Sequence, residues 1–141
     1  MWEYEYMVES TATPAAIYRW YENVDLRSHW DRSVESMTID GPFAAGTTGV
    51  MVIEGQGAMP FSIIDATLNE GFTDQSNLPE MGLTLRFSHQ LTPLANGQTQ
   101  IRHHLLITGP NAAESAAEVG PMIAADFPET MTALARLAEE E

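Results

Sequence analysis

Four histidines carry most of this chain's capacity to titrate near neutral pH. They are His29, His89, His103 and His104, and no cysteine accompanies them. Paired histidines can ligate a metal, pass a proton or orient a ligand's hydroxyl or carbonyl group. In "LTLRFSHQL", Leu83, Leu85, Phe87, His89 and Leu91 share one face at period two. In "IRHHLLITGP", Ile101, His103, Leu105 and Ile107 share one face, and His104 falls on the other. His103 and His104 therefore cannot hold one ion from a regular strand. The better pair is His89 with His103, on the apolar faces of two strands joined through "TPLANG". If Leu91 pairs near Thr99, His103 lies diagonally across from His89. A shift of the pairing by two puts the histidines directly opposite. The spacing supplies no third ligand, so neither a metal nor a cofactor is expected.

Two acids could add to this chemistry. An Asp inside an apolar cavity has a raised pKa and can serve as general acid or base. Asp65 in "MPFSIIDATLN" and Asp74 in "FTDQSN" are the candidates, but the inward face of either segment is ambiguous. Solvent exposure is the simpler expectation in a chain with twenty acids. Aromatic residues form a third group. Trp2, Tyr4 and Tyr6 share a strand face, while Trp20, Trp30 and Phe127 come from helical segments. Such rings wall a pocket for planar ligands or fill a core. Arg86 and Arg102 are expected to face outward.

The elements that must position these groups can be read in order. "WEYEYMVES" alternates and reads as a strand with one buried face. Thr13 is a plausible N-cap, with Pro14 at the first helical position, and Asp25 can cap a second short helix ending near Trp30. Six short segments separated by Gly, Pro and Asn turns follow, which implies antiparallel hairpins. From Asn111 to Glu141 an apolar face recurs at Val119, Ile123, Phe127, Met131 and Leu134. This reads as a long helix that kinks or restarts at Gly120-Pro121 and Pro128, with Asp126 and Glu129 spaced as a capping box. The fold class is α+β: a curved antiparallel sheet of about seven strands around a long C-terminal helix, with two short helices after the first strand.

Composition narrows the function. At 141 residues, one domain spanning 1–141 is expected. The formal net charge of -14 repels phosphates, which sets aside nucleic acid and anionic membranes. The N-terminus lacks a signal-peptide pattern, and no apolar run reaches the roughly 18 residues that span a bilayer, so no stable membrane insertion is expected. With no cysteine, a cytoplasmic protein is expected. Sequence templates for nucleotide, zinc-protease and serine-hydrolase sites are absent.

Three stretches resemble the START-related helix-grip (SRPBCC) superfamily, which includes polyketide cyclase/dehydrase-like proteins. They are "TATPAAIYRWYENVDLRSHWDRSV" with Asp25 and Trp30, "GPFAAGTTGVMVI" with its glycine turn, and "TQIRHHLLITGP" leading into the long helix. The resemblance implies a cavity between sheet and helix that holds a small hydrophobic or aromatic molecule. It carries over no catalytic residue. The expected lining is Tyr4, Tyr6, Trp30, Phe61, Ile63, Leu85, Phe87, His89, Ile101, His103, Leu105, Ile123 and Phe127. Cyclisation or dehydration is the expected chemistry if the protein is an enzyme. The alternatives are a lipid or quinone carrier, and a co-chaperone-like or toxin-like interaction module.

Overall fold

The computed structural model describes residues 1–140; Glu141, the end of the expected acidic last turn, lies outside them. The opening alternation forms β1 (Trp2–Ser10), with its aromatic face half-buried and its glutamates exposed. Thr13 then caps α1 (Pro14–Glu22), its hydroxyl accepting from Ala16 N–H at 3.1 Å. A 3-10 turn (Val24–Leu26) leads directly into α2 (Arg27–Trp30). Asp25 does not cap this segment as expected. It lies inside the 3-10 turn, whose N-cap is Asn23.

The six central segments become β2 (Val34–Ile39), β3 (Thr48–Ile53), β4 (Gly57–Thr67), β5 (Gly71–Leu78), β6 (Leu83–Pro93) and β7 (Thr99–Thr108). With β1 they form one seven-stranded antiparallel sheet in the order β1-β7-β6-β5-β4-β3-β2. Short hairpins keep neighbours in the chain adjacent in the sheet. Only β1 departs from this order, pairing with β7 and placing Tyr6 opposite His103 and Tyr4 opposite Leu105. The β6–β7 register sets His89 opposite His103, the direct arrangement of the two considered. Gly71 opens β5 at φ 153°, where a Cβ would sit 2.0 Å from the His89 carbonyl oxygen, so only glycine fits this approach.

The C-terminal helix runs in two segments, α3 (Ala112–Ala124) and α4 (Phe127–Glu139). Pro128 stands in the first turn of α4, where its missing N–H leaves no bond unmade. Pro121 is accommodated inside α3 and does not end it. The expected Asp126–Glu129 capping box is absent, because no side chain caps α4. The two segments pack on β1 and β7, and α4 also meets α1 and α2. Gly120 permits close packing, since a Cβ there would strike the Trp2 ring at 2.6 Å. The Ser10 hydroxyl ties the far end by donating to Glu139 Oε2 at 2.8 Å.

Two apolar clusters result. The larger joins α1, α2, α3 and α4 to β1, β7 and β6 through residues such as Ile17, Tyr21, Trp30, Leu85, Ile101, Leu105 and Met131. The smaller comprises Val34, Met37, Met51, Phe61 and Ile63 beneath the other half of the sheet.

Candidate ligand-binding site

Strand parity and hairpin register bring His89 and His103 together on the inner face. Their ring centroids are 4.6 Å apart, and both side chains are buried. Tyr21 descends from α1 and shares a 2.8 Å hydrogen bond with His103 Nε2. His89 Nδ1 lies 3.1 Å from the Phe72 carbonyl oxygen. A carbonyl only accepts, so Nδ1 carries the proton and Nε2 of neutral His89 is an acceptor. The Phe72 ring stacks on His89 at 3.9 Å and 6°. Tyr21 meets Phe72 edge-on at 5.0 Å, and Trp30 closes on His103 at 6.1 Å.

Burial dominates the electrostatics. It holds His103 down to about 3 and His89 well below its ordinary value, with Arg27 pushing both the same way. The Tyr21 hydroxyl is pushed well up, again by burial. All three groups are therefore neutral near pH 7, and the histidines act there as hydrogen-bonding groups, not as cations.

Asp74 is the surprise. A bulge in β4 between Ile63 and Asp65 leaves Ile63 buried and Asp65 exposed. Ile63 pairs with Asp74 on β5, which faces inward and is 1% exposed. The expectation of solvent exposure holds for Asp65 and fails for Asp74. Neither Asp74 carboxyl oxygen has a hydrogen-bond partner; nor do Ser76 Oγ, Trp30 Nε1 and Trp20 Nε1. Burial raises Asp74 to about 7, offset in part by Arg27 and reinforced by Asp31. The signal was present in "FTDQSN": Phe72, its one large apolar side chain, shares a face with Asp74 and Ser76 at period two.

Arg27 was also missed. It pairs with Asp31 at 3.1 Å and lies 4.5 Å over the Trp30 ring. Its charge reaches Tyr21, Asp74, His89 and His103. Its trace in the sequence was the four-residue spacing to Asp31.

The expected lining residues divide. Trp30, Leu85, Ile101, Leu105 and Phe127 are buried in the larger cluster with the histidines, and Tyr4, Tyr6, Phe87 and Ile123 pack against it. Phe61 and Ile63 sit in the smaller cluster instead, because β4 lies beyond β5 from the histidine hairpin. Arg86 and Arg102 lie on the outer face as expected; Arg86 donates to Gln75, and Arg102 pairs with Glu5. Among the described residues, no group of three His, Asp or Glu side chains could hold a metal, and no helix is long and apolar enough to cross a membrane.

No family model and no curated protein matches the chain. Solved structures match it nearly end to end. Ara h 8.0201 aligns over 99% of both chains with a TM-score of 0.78 and 15% identity. Norcoclaurine synthase from Thalictrum flavum aligns over 99% of this chain and 94% of its own, with a TM-score of 0.76 and 16% identity. That enzyme has also been solved in complex with dopamine and hydroxybenzaldehyde. The Aha1 dimer from Colwellia psychrerythraea covers 99% and 97%, with a TM-score of 0.74 and 20% identity. The chain has the helix-grip fold of these structures.

Within the helix-grip frame, two clefts stand out. One, of about 490 Å3, lies between α2 and the start of α4, lined by His29, Trp30, Arg32, Asp126, Glu129 and Arg136 among others. The other, of about 380 Å3, lies over the β4–β5 turn and β6 and is lined mainly by polar residues. The second touches His89 and Phe72, but neither cleft is lined by His103; a cavity was expected around the histidine pair, where Tyr21, Trp30 and Phe72 pack ring against ring.

Proposed function

We propose that the helix-grip interior binds a small aromatic or apolar molecule that carries hydrogen-bonding groups. The observation that supports this is the set of buried polar atoms without protein partners: the Asp74 carboxyl, the Ser76 hydroxyl and the Trp30 indole N–H. Buried polar groups in folded proteins are nearly always satisfied. Here they stand beside an aromatic shell suited to planar ligands. Tyr21, His89 and His103 orient the guest, and rotation of Trp30 or a shift of α2 admits it. Binding of dopamine and hydroxybenzaldehyde by norcoclaurine synthase offers a precedent for aromatic ligands in this fold.

If the protein is an enzyme, the reaction is a cyclisation or dehydration that needs one proton moved in a closed pocket. His89 and His103, held neutral, orient the reacting group through hydrogen bonds, and Asp74 gives or takes the proton near neutral pH. A carrier of a lipid or quinone would use the same interior without that step. In either case residues 1–141 act as one ligand-binding domain, in the reducing compartment that a chain without cysteine suits, the cytoplasm.

The close ring packing around His89 favours a second reading, an interaction module with a filled core. Native mass spectrometry of the purified protein separates the two. A co-purified small molecule supports ligand binding. A bare mass, with no thermal stabilisation by a panel of aromatic compounds, sinks that reading and favours the module.

A further inference from the structure

We propose that Asp74 is the anchoring carboxylate for a monocationic aromatic ligand, an amine on a flat ring system, with its ammonium group held against Asp74 and Ser76. The inference rests on the reading that the interior takes up an aromatic molecule, and it names that molecule's charge.

The argument begins with donors and acceptors. An ionised carboxylate only accepts hydrogen bonds, and both Asp74 oxygens are without a donor. Ser76, two residues along the same face and equally buried, also has an unpartnered oxygen. An ammonium group brings three donors and no acceptor, so it matches this set.

The second step is charge. The charged groups that act on Asp74 are Arg27 and Asp31 of the α2 region. Arg27 is already engaged, bonded to Asp31 and seated on Trp30. Tyr21 from α1, His89 from β6 and His103 from β7 are held neutral by burial. An ionised Asp74 is therefore left without a counter-charge. One positive charge completes the balance, and a carboxylate or phosphate ligand would worsen it. A metal ion does not answer the demand, because among the described residues no third ligand stands nearby. Phe87 lies directly across from Asp74 on β6 and Phe72 two residues away on β5, so aromatic side chains flank the carboxyl on the same sheet face.

The test compares two probes of one shape, naphthylmethylamine and neutral naphthylmethanol. Calorimetric and tryptophan-fluorescence titrations are run at pH 8, where Asp74 is ionised, and repeated in about 0.5 M salt to suppress attraction to the acidic surface. The amine should bind wild type about tenfold or more tighter than the alcohol, the increment expected of a charge-assisted hydrogen bond. Asp74→Asn should abolish that preference by weakening the amine about tenfold or more and the alcohol far less. This variant keeps the side-chain shape and removes a buried charge, so it is expected to fold. Alcohol binding as tight as amine binding, or an amine affinity untouched by Asp74→Asn, overturns the inference while aromatic binding stands. If neither probe binds, this inference and the ligand-binding reading fall together.

Discussion

Two polar groups share the inner face of one sheet and are treated in opposite ways. On the β6–β7 hairpin, His89 donates to the Phe72 carbonyl and His103 bonds Tyr21. On β5, Asp74 and Ser76 have no protein partner. Both groups are buried and both sit near Arg27. Desolvation drives each toward its neutral form, lowering the histidines and raising the acid. The contrast teaches that burial alone does not mark a site. The histidine pair is caught in a network that holds it in place; the Asp74 pair has hydrogen-bonding capacity that only something beyond the protein can meet.

The largest effect should come from removing the unpartnered charge. Asp74 is raised from 3.8 to about 7, so its favourable proton binding is fully present below pH 3.8 and is lost as pH rises through 7. At about 1.4 kcal/mol per pKa unit, ionised Asp74 destabilises the fold by roughly 4 kcal/mol above neutral pH. Asp74→Asn should therefore stabilise the protein at pH 8 by roughly 2–4 kcal/mol, the lower bound allowing for an imperfectly bonded amide. Urea denaturation at pH 8 measures this. No gain would mean that Asp74 has a partner after all, and the contrast between the two groups would dissolve.

The next effect is on the acid limb. Lowered histidines contribute stability that is present above pH 6.5 and lost as pH falls toward 3. Asp74 works in the opposite sense between pH 3.8 and 7. Across the overlap it cancels about one histidine's worth of slope, about 1.4 kcal/mol per pH unit. Asp74→Asn should therefore lose stability more steeply than wild type, by about that slope, as pH falls from 6.5 to 4. Parallel curves from denaturation at several pH values would show that the two groups are not opposed.

Cutting the closed network should have a smaller effect. Tyr21→Phe keeps the ring packed against Phe72 and leaves His103 Nε2 unpaired. It should cost about 1–3 kcal/mol, the same at pH 7 as at pH 9, because His103 is neutral at both. A cost under about 0.5 kcal/mol would show that the histidines, too, lack an effective partner.

How much of this was legible depends on which physical signal each residue left. The sheet was legible because period-two alternation and turn residues recur from Trp2 to Thr108. The His89–His103 pairing followed from the parity of two neighbouring strands, leaving only a choice of register. Asp74 was obscured by the bulge before Asp65, which breaks the parity of β4, and by a β5 segment whose large apolar side chains are only Phe72 and Leu78. Phe61 and Ile63 were expected to line the pocket but sit in the smaller cluster, because alternation does not reveal which of two clusters a strand serves. Asp25 and Asp126 had capping chemistry, yet Asp25 falls inside the 3-10 turn and Asp126, at the N-cap of α4, makes no side-chain cap bond. Arg27 lies on a four-residue helix, too short for periodicity to show which way it faces.

The smallest expected effect is the most discriminating for the β5 group. Ser76 is 1% exposed, and its oxygen makes no hydrogen bond. Removing a hydroxyl that bonds nothing sacrifices no interaction and relieves a desolvation cost, at the expense of a cavity about one oxygen in size. Ser76→Ala should therefore be neutral or stabilising by up to about 1 kcal/mol. Thr99→Val is the matched control, because the equally buried Thr99 hydroxyl donates to the Ala12 carbonyl oxygen at 2.8 Å. It should destabilise by about 1–2 kcal/mol, leaving that oxygen without its donor. If Ser76→Ala costs as much as Thr99→Val, Ser76 is satisfied in solution and half of the proposed anchor is lost. If the two changes differ in sign, β5 carries the sheet's unspent hydrogen-bonding capacity, and a ligand that engages Ser76 should bind Ser76→Ala more weakly even as the free protein grows more stable.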